Sequence, residues 1–329
     1  MLRLIILGLA LTTTAFAADP ATLVSGPVDG PLVVTHGGVG SPAEWSDDCQ
    51  AAAEAGATHL SSARVAASTA TVHLENICRF NAGTGANVRL DGQTVQMDAA
   101  VMTSDGNFAA VAALERVTNP ILVAQAVLDT PHRMLVGEGA TRFAHALGFP
   151  DEVPICDEAL EKYRRRVAKL LAGEAGGGYD TFDWRAVWNY PTPAPQATPS
   201  GPDAEDKTPG DTVGAVSRAT DGTFAAALST GGTSITLYGR VGDVPIYGCG
   251  CYAGPAGAVA CTGFGEEIIR HAMARLVYDH MASGKTAREA VLAGCEIFGE
   301  EWSLGLIAVG TTDWAVAANR PMAWGQATP

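Results

Sequence analysis

No stretch of this 329-residue chain approaches the roughly 20 consecutive apolar residues that a transmembrane helix needs, which excludes a helical membrane-spanning protein. Basic charge is scarce. Lysine and arginine number 21 against 35 aspartates and glutamates, a formal net charge of −14, and so acidic a chain repels phosphate backbones, which argues against nucleic acid as a partner. No internal repeat and no phosphate-loop signature occurs. The cysteines also lack metal spacing. Cys249, Cys251 and Cys261 cluster, but they have no partner pair at zinc-ribbon distance and no histidine following at ligand distance, so small buried cysteines are the better reading. Seven cysteines is an odd number, so at least one thiol stays free.

What is present begins with a secretory signal over residues 1–17: Arg3 as the basic head, the apolar run Leu4 to Leu11, and Ala15-Phe16-Ala17 as the small-x-small cleavage site. Ala18, not a cysteine, stands directly after that site, which argues against a lipid anchor there. The expectation is an exported protein, periplasmic or secreted, whose mature chain of about 310 residues can bury a substantial core.

Leu32 to Thr35 reads as a strand running into a tight turn at His36-Gly37-Gly38-Val39-Gly40. Gln50 to Glu75 is alanine-rich with helical spacing and reads as one helix. Asp91-Gly92 reads as a hairpin turn, Ala109 to Val117 as a strand, and Pro120 to Asp129 as a helix stopped before Pro131. After a charged helix at Glu158 to Leu171, residues from about 172 to 211 are rich in Gly, Pro, Thr, Ser and Asp, and read as a mobile tail. Two hairpins follow, turning at Asp221-Gly222 and at Thr311-Thr312-Asp313, with a helical pattern from Glu266 through Val277 between them. Helices before and after a set of hairpins predict a layered α+β sandwich with largely antiparallel sheets.

Four short motifs carry the chemistry: Gly210-Asp211-Thr212-Val213-Gly214, Ser229-Thr230-Gly231-Gly232, Arg240-Val241-Gly242-Asp243 and Thr262-Gly263-Phe264-Gly265-Glu266. A threonine hydroxyl needs a base within hydrogen-bond reach, and a threonine that begins a chain can use its own α-amine. Thr212 is internal, so this reading requires a break between Asp211 and Thr212. The freed amine has an ordinary pKa of about 7.7 to 8.0, suited to general-base work near neutrality. Arg240 and Asp243 place opposite charges on one loop, which suits a zwitterionic substrate.

These motifs, with His36-Gly37-Gly38, Phe80-Asn81-Ala82-Gly83-Thr84-Gly85, Met97-Asp98-Ala99-Ala100, Asn119-Pro120-Ile121, Thr130-Pro131-His132 and Gly137-Glu138-Gly139-Ala140, resemble in order the plant-type asparaginase and isoaspartyl peptidase family of N-terminal nucleophile hydrolases. The resemblance implies a four-layer αββα fold and self-cleavage into an α subunit (18–211) and a β subunit (212–329) that together make one domain. It implies Thr212 as nucleophile, Thr230 tuning it, Thr262 and Gly263 as oxyanion donors, and Arg240, Asp243, Gly263 and Gly265 around the substrate, an asparagine or β-aspartyl dipeptide. It further implies a homodimer of αβ protomers and no required cofactor. A structural sodium ion held by backbone carbonyls of Leu74, Glu75, Phe80 and Ala82 is the one ion it suggests.

Asp211 before the nucleophile is similar to the glycosylasparaginase branch, whereas Gly231 and the His36 motif side with the asparaginases. Trp302-Ser303-Leu304-Gly305 is less glycine-rich than the usual pattern, and Phe264 occupies a variable position that shapes the leaving-group side. Glycosylasparaginase action on sugar-linked asparagine is therefore the alternative within the class. An uncut, inactive exported binding protein is the alternative outside it.

Overall fold

The strands Leu32–Val39, Phe108–Leu114, Phe224–Thr230, Gly257–Gly263 and Leu304–Gly310 are buried at every residue. Burial without alternation means that both faces of a sheet are covered. A computed structural model describes residues 20–175, 178–195, 212–233 and 235–329. The signal segment, Asp211 and the rest of the tail between 196 and 210 lie outside the described residues.

In chain order the strands are β1 (Thr22–Pro27), β2 (Leu32–Val39), β3 (Met97–Thr103), β4 (Phe108–Leu114), β5 (Met134–Val136), β6 (Val213–Arg218), β7 (Phe224–Thr230), β8 (Cys251–Gly254), β9 (Gly257–Gly263), β10 (Leu304–Gly310), β11 (Asp313–Ala318) and β12 (Met322–Ala327). The helices are α1 (Ser46–Ala57), α2 (Ala63–Glu75), α3 (Pro120–Val127), α4 (Gly137–Ala146), α5 (Asp157–Ala172), α6 (Gly265–His271), α7 (Met273–Ala282) and α8 (Ala287–Phe298). The described residues thus form a mixed α/β structure with two sheets, ordered β1-β11-β10-β9-β8 and β12-β2-β6-β7-β3-β4-β5. Pairing is antiparallel throughout except between β4 and β5. No described helix is long and apolar enough to cross a membrane.

One apolar cluster draws on both sheets, with Val34, Met102 and Leu228 from one and Ala260, Ile307 and Val316 from the other. A second joins the seven-stranded sheet to α2, α3 and α4 through Ala66, Ala70, Ile121 and Ala140. A third joins the five-stranded sheet to α7 and α8 through Val259, Leu306, Met273 and Val291. Small residues permit these close approaches. A Cβ on Gly56 of α1 would lie 2.7 Å from the Ala66 carbonyl of α2, so glycine lets the two helices touch.

The structure departs from the sequence reading at several boundaries. The single helix expected over Gln50–Glu75 is two, because the chain turns at 58–62 and Ser62 caps α2 by accepting from the Val65 amide. The pattern after Glu266 is likewise interrupted at Ala272, whose φ of 45° ends α6 and starts α7. The turn expected at His36–Gly40 is strand as far as Val39, since pairing with β6 and β12 extends it. Asp91-Gly92 does turn, with the Asp91 carboxylate accepting from the Gln93 and Thr94 amides, but no strands flank it. The described part of the proposed tail carries a packed aromatic cluster: Trp184 and Tyr190 are buried against Leu90, Val167, Leu170 and Ile235. Counting Pro, Ser and Gly passed over its aromatic residues.

Candidate active site

Strand register gathers two of the four motifs at one end of the seven-stranded sheet, and a hydrogen bond from the Gly242 amide to Asp98 ties in a third. Val213 pairs with Ser229 and Asp98 with Thr230, so Thr212 lies at the mouth of β6 beside the last residue of β7, with Asp98 beyond it on β3. Thr212 and Thr230 are both buried, and the Thr230 hydroxyl accepts from the Gly232 amide at 2.9 Å. The five-stranded sheet contributes the fourth motif. Thr262, near the end of β9, accepts from the Val39 amide at 3.3 Å, and this contact brings it to the end of β2, the strand next to β6. Gly263 has φ 143°, and a Cβ there would lie 2.1 Å from the Ser303 carbonyl, so the position is closed to any side chain.

Arg240 is held from several sides. Its Nη2 donates to both carboxylate oxygens of Glu266, at 2.9 and 3.0 Å, and its Nε to one at 3.1 Å. A Cβ on Gly265 would lie 2.9 Å from Arg240 Nη2 and 3.0 Å from Asp243 Oδ1, so this glycine is what admits both charged groups to one spot. Burial works against the charge of Arg240, but Glu266, Asp243 and Asp98 together outweigh it and hold the guanidinium pKa above its ordinary value. The sequence pairing of Arg240 with Asp243 therefore misses the nearer partner, Glu266, which lies outside the loop.

A supporting layer is built from residues to which the sequence reading gave no role. The buried Asp98 carboxylate accepts from the amides of Ala113 and Gly242, at 2.8 and 3.1 Å, which fixes the Arg240–Asp243 loop to the sheet. Arg89, also fully buried, donates to Thr236 Oγ1 and to the carbonyls of Gln96 and Thr233. Burial lowers the Arg89 pKa and raises that of Asp98, while attraction between these two opposite charges opposes both shifts. Asn81 and Asn87 both donate to the Gly232 carbonyl, and the Gly231 amide donates to the Asn81 carbonyl. A Cβ on Gly231 would meet Asn81 Oδ1 and the Asn87 amide at 2.5 Å each, so the two glycine-containing motifs interlock. Both are legible as motifs in the sequence, but their contact across 145 or more positions is not.

His36 pairs with Gly214, and neither ring nitrogen makes a hydrogen bond. Burial drives its pKa down to about 3 against a weak opposing effect of the Thr212 backbone, which makes it a poor base. Glu75 is buried as well. Burial raises its pKa to about 7, opposed by hydrogen bonds from Ser229, Ile121 and Asn119. Burial likewise pushes the Cys249 thiol up to about 11 and the Cys251 thiol up to about 12, so both are neutral thiols near neutral pH. Among the described residues the one cluster with metal-ligand geometry is Cys78, Cys156 and Glu158, and its two sulfurs are joined in a disulfide.

The loop expected to cradle sodium fits in part. Carbonyls of Cys78 and Phe80 would each lie 2.1 Å from a Cβ on Gly85, so these two oxygens flank one glycine, and that of Glu75 would lie 2.4 Å from a Cβ on Gly83. The Leu74 and Ala82 carbonyls accept from the Ile77 and Gly85 amides.

The asparaginase family model matches residues 30–327. The chain is 39% identical over 243 residues to the plant-type L-asparaginase of Pyrococcus horikoshii, covering 72% of this chain and 73% of that protein. It is 37% identical over 273 residues to the isoaspartyl peptidase/L-asparaginase of Danio rerio, covering 79% of each chain. The human protein of the same name is 35% identical over 274 residues, 79% of this chain and 80% of its own. The chain therefore belongs to the asparaginase family and is a hydrolase of the isoaspartyl peptidase/L-asparaginase kind.

Proposed function

We propose that the protein is an exported, self-cleaving amidohydrolase that uses Thr212 as an N-terminal nucleophile on L-asparagine and β-aspartyl dipeptides. The observation that carries this reading is the burial of Thr212 at the mouth of β6, beside Thr230 and next to the Val39–Thr262 contact. In maturation the Thr212 hydroxyl adds to the Asp211 carbonyl and the peptide C–N bond breaks, giving an ester and a free α-amine. Water then hydrolyses the ester.

In turnover the α-amine takes the hydroxyl proton as Thr212 Oγ1 adds to the β-carbonyl of the substrate. The Thr262 hydroxyl and Gly263 amide stabilise the oxyanion, each donor contributing about 2.7 to 4 kcal/mol at such sites. The proton passes to the departing amine, and water releases aspartate from the acyl-enzyme. Arg240 receives the substrate α-carboxylate and Asp243 its α-ammonium, with Gly265 leaving room for both. A sodium ion bound by the Glu75 and Phe80 carbonyls would stiffen the loop that carries Asn81, a structural task.

The three hydrophobic clusters support a four-layer αββα arrangement for this molecule. A Cys78–Cys156 disulfide accords with export, because such bonds persist in oxidising compartments. Glycosylasparaginase action gains nothing from the relatives' names, which specify asparaginase and isoaspartyl peptidase. Intact-mass measurement with amino-terminal sequencing after incubation tests the mechanism. The expected result is a fragment beginning at Thr212, with Thr212→Ala intact and inactive; an uncut wild type with full activity would refute it.

A further inference from the structure

Beside Arg240 lies a cavity of about 580 Å³, larger than the substrate amide of asparagine requires and within the range of pockets that hold drug-sized ligands. Four aromatic side chains line it: Tyr179 and Phe182 from the stretch after α5, Tyr238 from the loop before Arg240, and Phe264 immediately after Gly263. Resting on the function proposed above, we propose that this cavity receives the leaving group and selects β-aspartyl dipeptides whose second residue is aromatic or large and apolar.

Position supports the assignment. Arg240, which receives the substrate α-carboxylate, and Phe264, which adjoins the oxyanion donor Gly263, both line the cavity, so it opens beside the proposed position of the β-carbonyl. Ammonia released from asparagine would use none of it. The walls are also fixed in advance. Phe264 stacks on Trp302 with centroids 4.1 Å apart and planes 17° from parallel. The Tyr238 hydroxyl donates to Glu115 at 2.7 Å. Asn189 clamps the Tyr238 backbone from the other side, donating to its carbonyl at 2.9 Å and accepting from its amide at 3.1 Å. Meanwhile Phe182 and Tyr238 keep 44% and 39% of their surface exposed, an apolar cost that a bound apolar group would remove.

The test measures kcat/KM of the full processed protein for β-aspartyl-phenylalanine, β-aspartyl-alanine and L-asparagine. The wild-type ratio of the phenylalanine to the alanine dipeptide is expected to be about tenfold or more, given the area an aromatic ring buries. In Phe182→Ala and in Phe264→Ala that ratio is expected to fall toward one. Using a ratio within each variant cancels any general loss of activity, and exposed Phe182 can be truncated without opening the core. A wild-type ratio near one, or a ratio unchanged in both variants, overturns the subsite while leaving the amidohydrolase reading intact. Failure to hydrolyse all three compounds overturns that reading, and the subsite with it.

Discussion

Arg240 meets a carboxylate of its own chain before any substrate arrives. The Glu266 fork holds the guanidinium in one orientation, and in the proposed mechanism an incoming α-carboxylate would share or displace it. Arg240→Ala is expected to raise KM for asparagine roughly 10- to 100-fold, the equivalent of a charge-assisted hydrogen bond, with self-cleavage proceeding at its usual rate. Steady-state kinetics beside a time course of cleavage checks this, and equal damage to both steps would count against it. Gly265→Ala is expected to act in the same direction, because its Cβ would press on Arg240 Nη2 and Asp243 Oδ1. Glu75 makes a different prediction. Its carboxyl titrates at about 7 when folded against 4.5 ordinarily, so the folded state holds the extra proton and stability is lost as pH rises from about 4.5 through 7. Glu75→Gln removes that loss. The stability of the variant relative to wild type is expected to climb across this window by on the order of 3 kcal/mol, measured by denaturant unfolding at several pH values.

Elements were legible wherever local chemistry sets them. The hairpins at Asp221-Gly222 and Thr311–Asp313, the proline-started α3 and the charged α5 follow from turn residues and spacing alone. Breaks set by packing were not. Nothing local marks Ala272 as left-handed or stops a helix at Thr58. In the site the motif residues could be named, but Asp98, Arg89 and Asn87 owe their importance to partners far away in sequence. The loop from Phe80 to Asn87 illustrates the consequence. Asn81→Ala removes the donor to the Gly232 carbonyl and is expected to cost about 1 to 3 kcal/mol of stability, with kcat/KM falling as the Thr230–Gly232 turn loosens. Denaturation midpoints and kinetics on the same preparation would show whether the two losses travel together.

At the scale of the whole molecule, the Cys78–Cys156 disulfide closes a loop across 78 positions and ties the carbonyl-rich loop to the start of α5. Cys156→Ser is expected to lose about 2 to 4 kcal/mol, and a reductant should lower the wild type to the same level while leaving the variant unchanged. Both cysteines precede Thr212, so this bond does not join the two proposed subunits. Strand order does. The α segment supplies β1 to β5 and the β segment β6 to β12, yet the sheets alternate them, with junctions at β12–β2, β2–β6, β7–β3 and β1–β11. Two pieces woven in this way come apart only by unfolding, and once apart they must meet by diffusion. Recovery of the cut enzyme from denaturant should therefore slow on dilution, whereas the uncut Thr212→Ala chain should regain its structure at a rate indifferent to concentration. The proposed maturation would thus turn a first-order folding problem into a second-order one, and a protein activated by losing a peptide bond would also lose the means of returning to shape on its own.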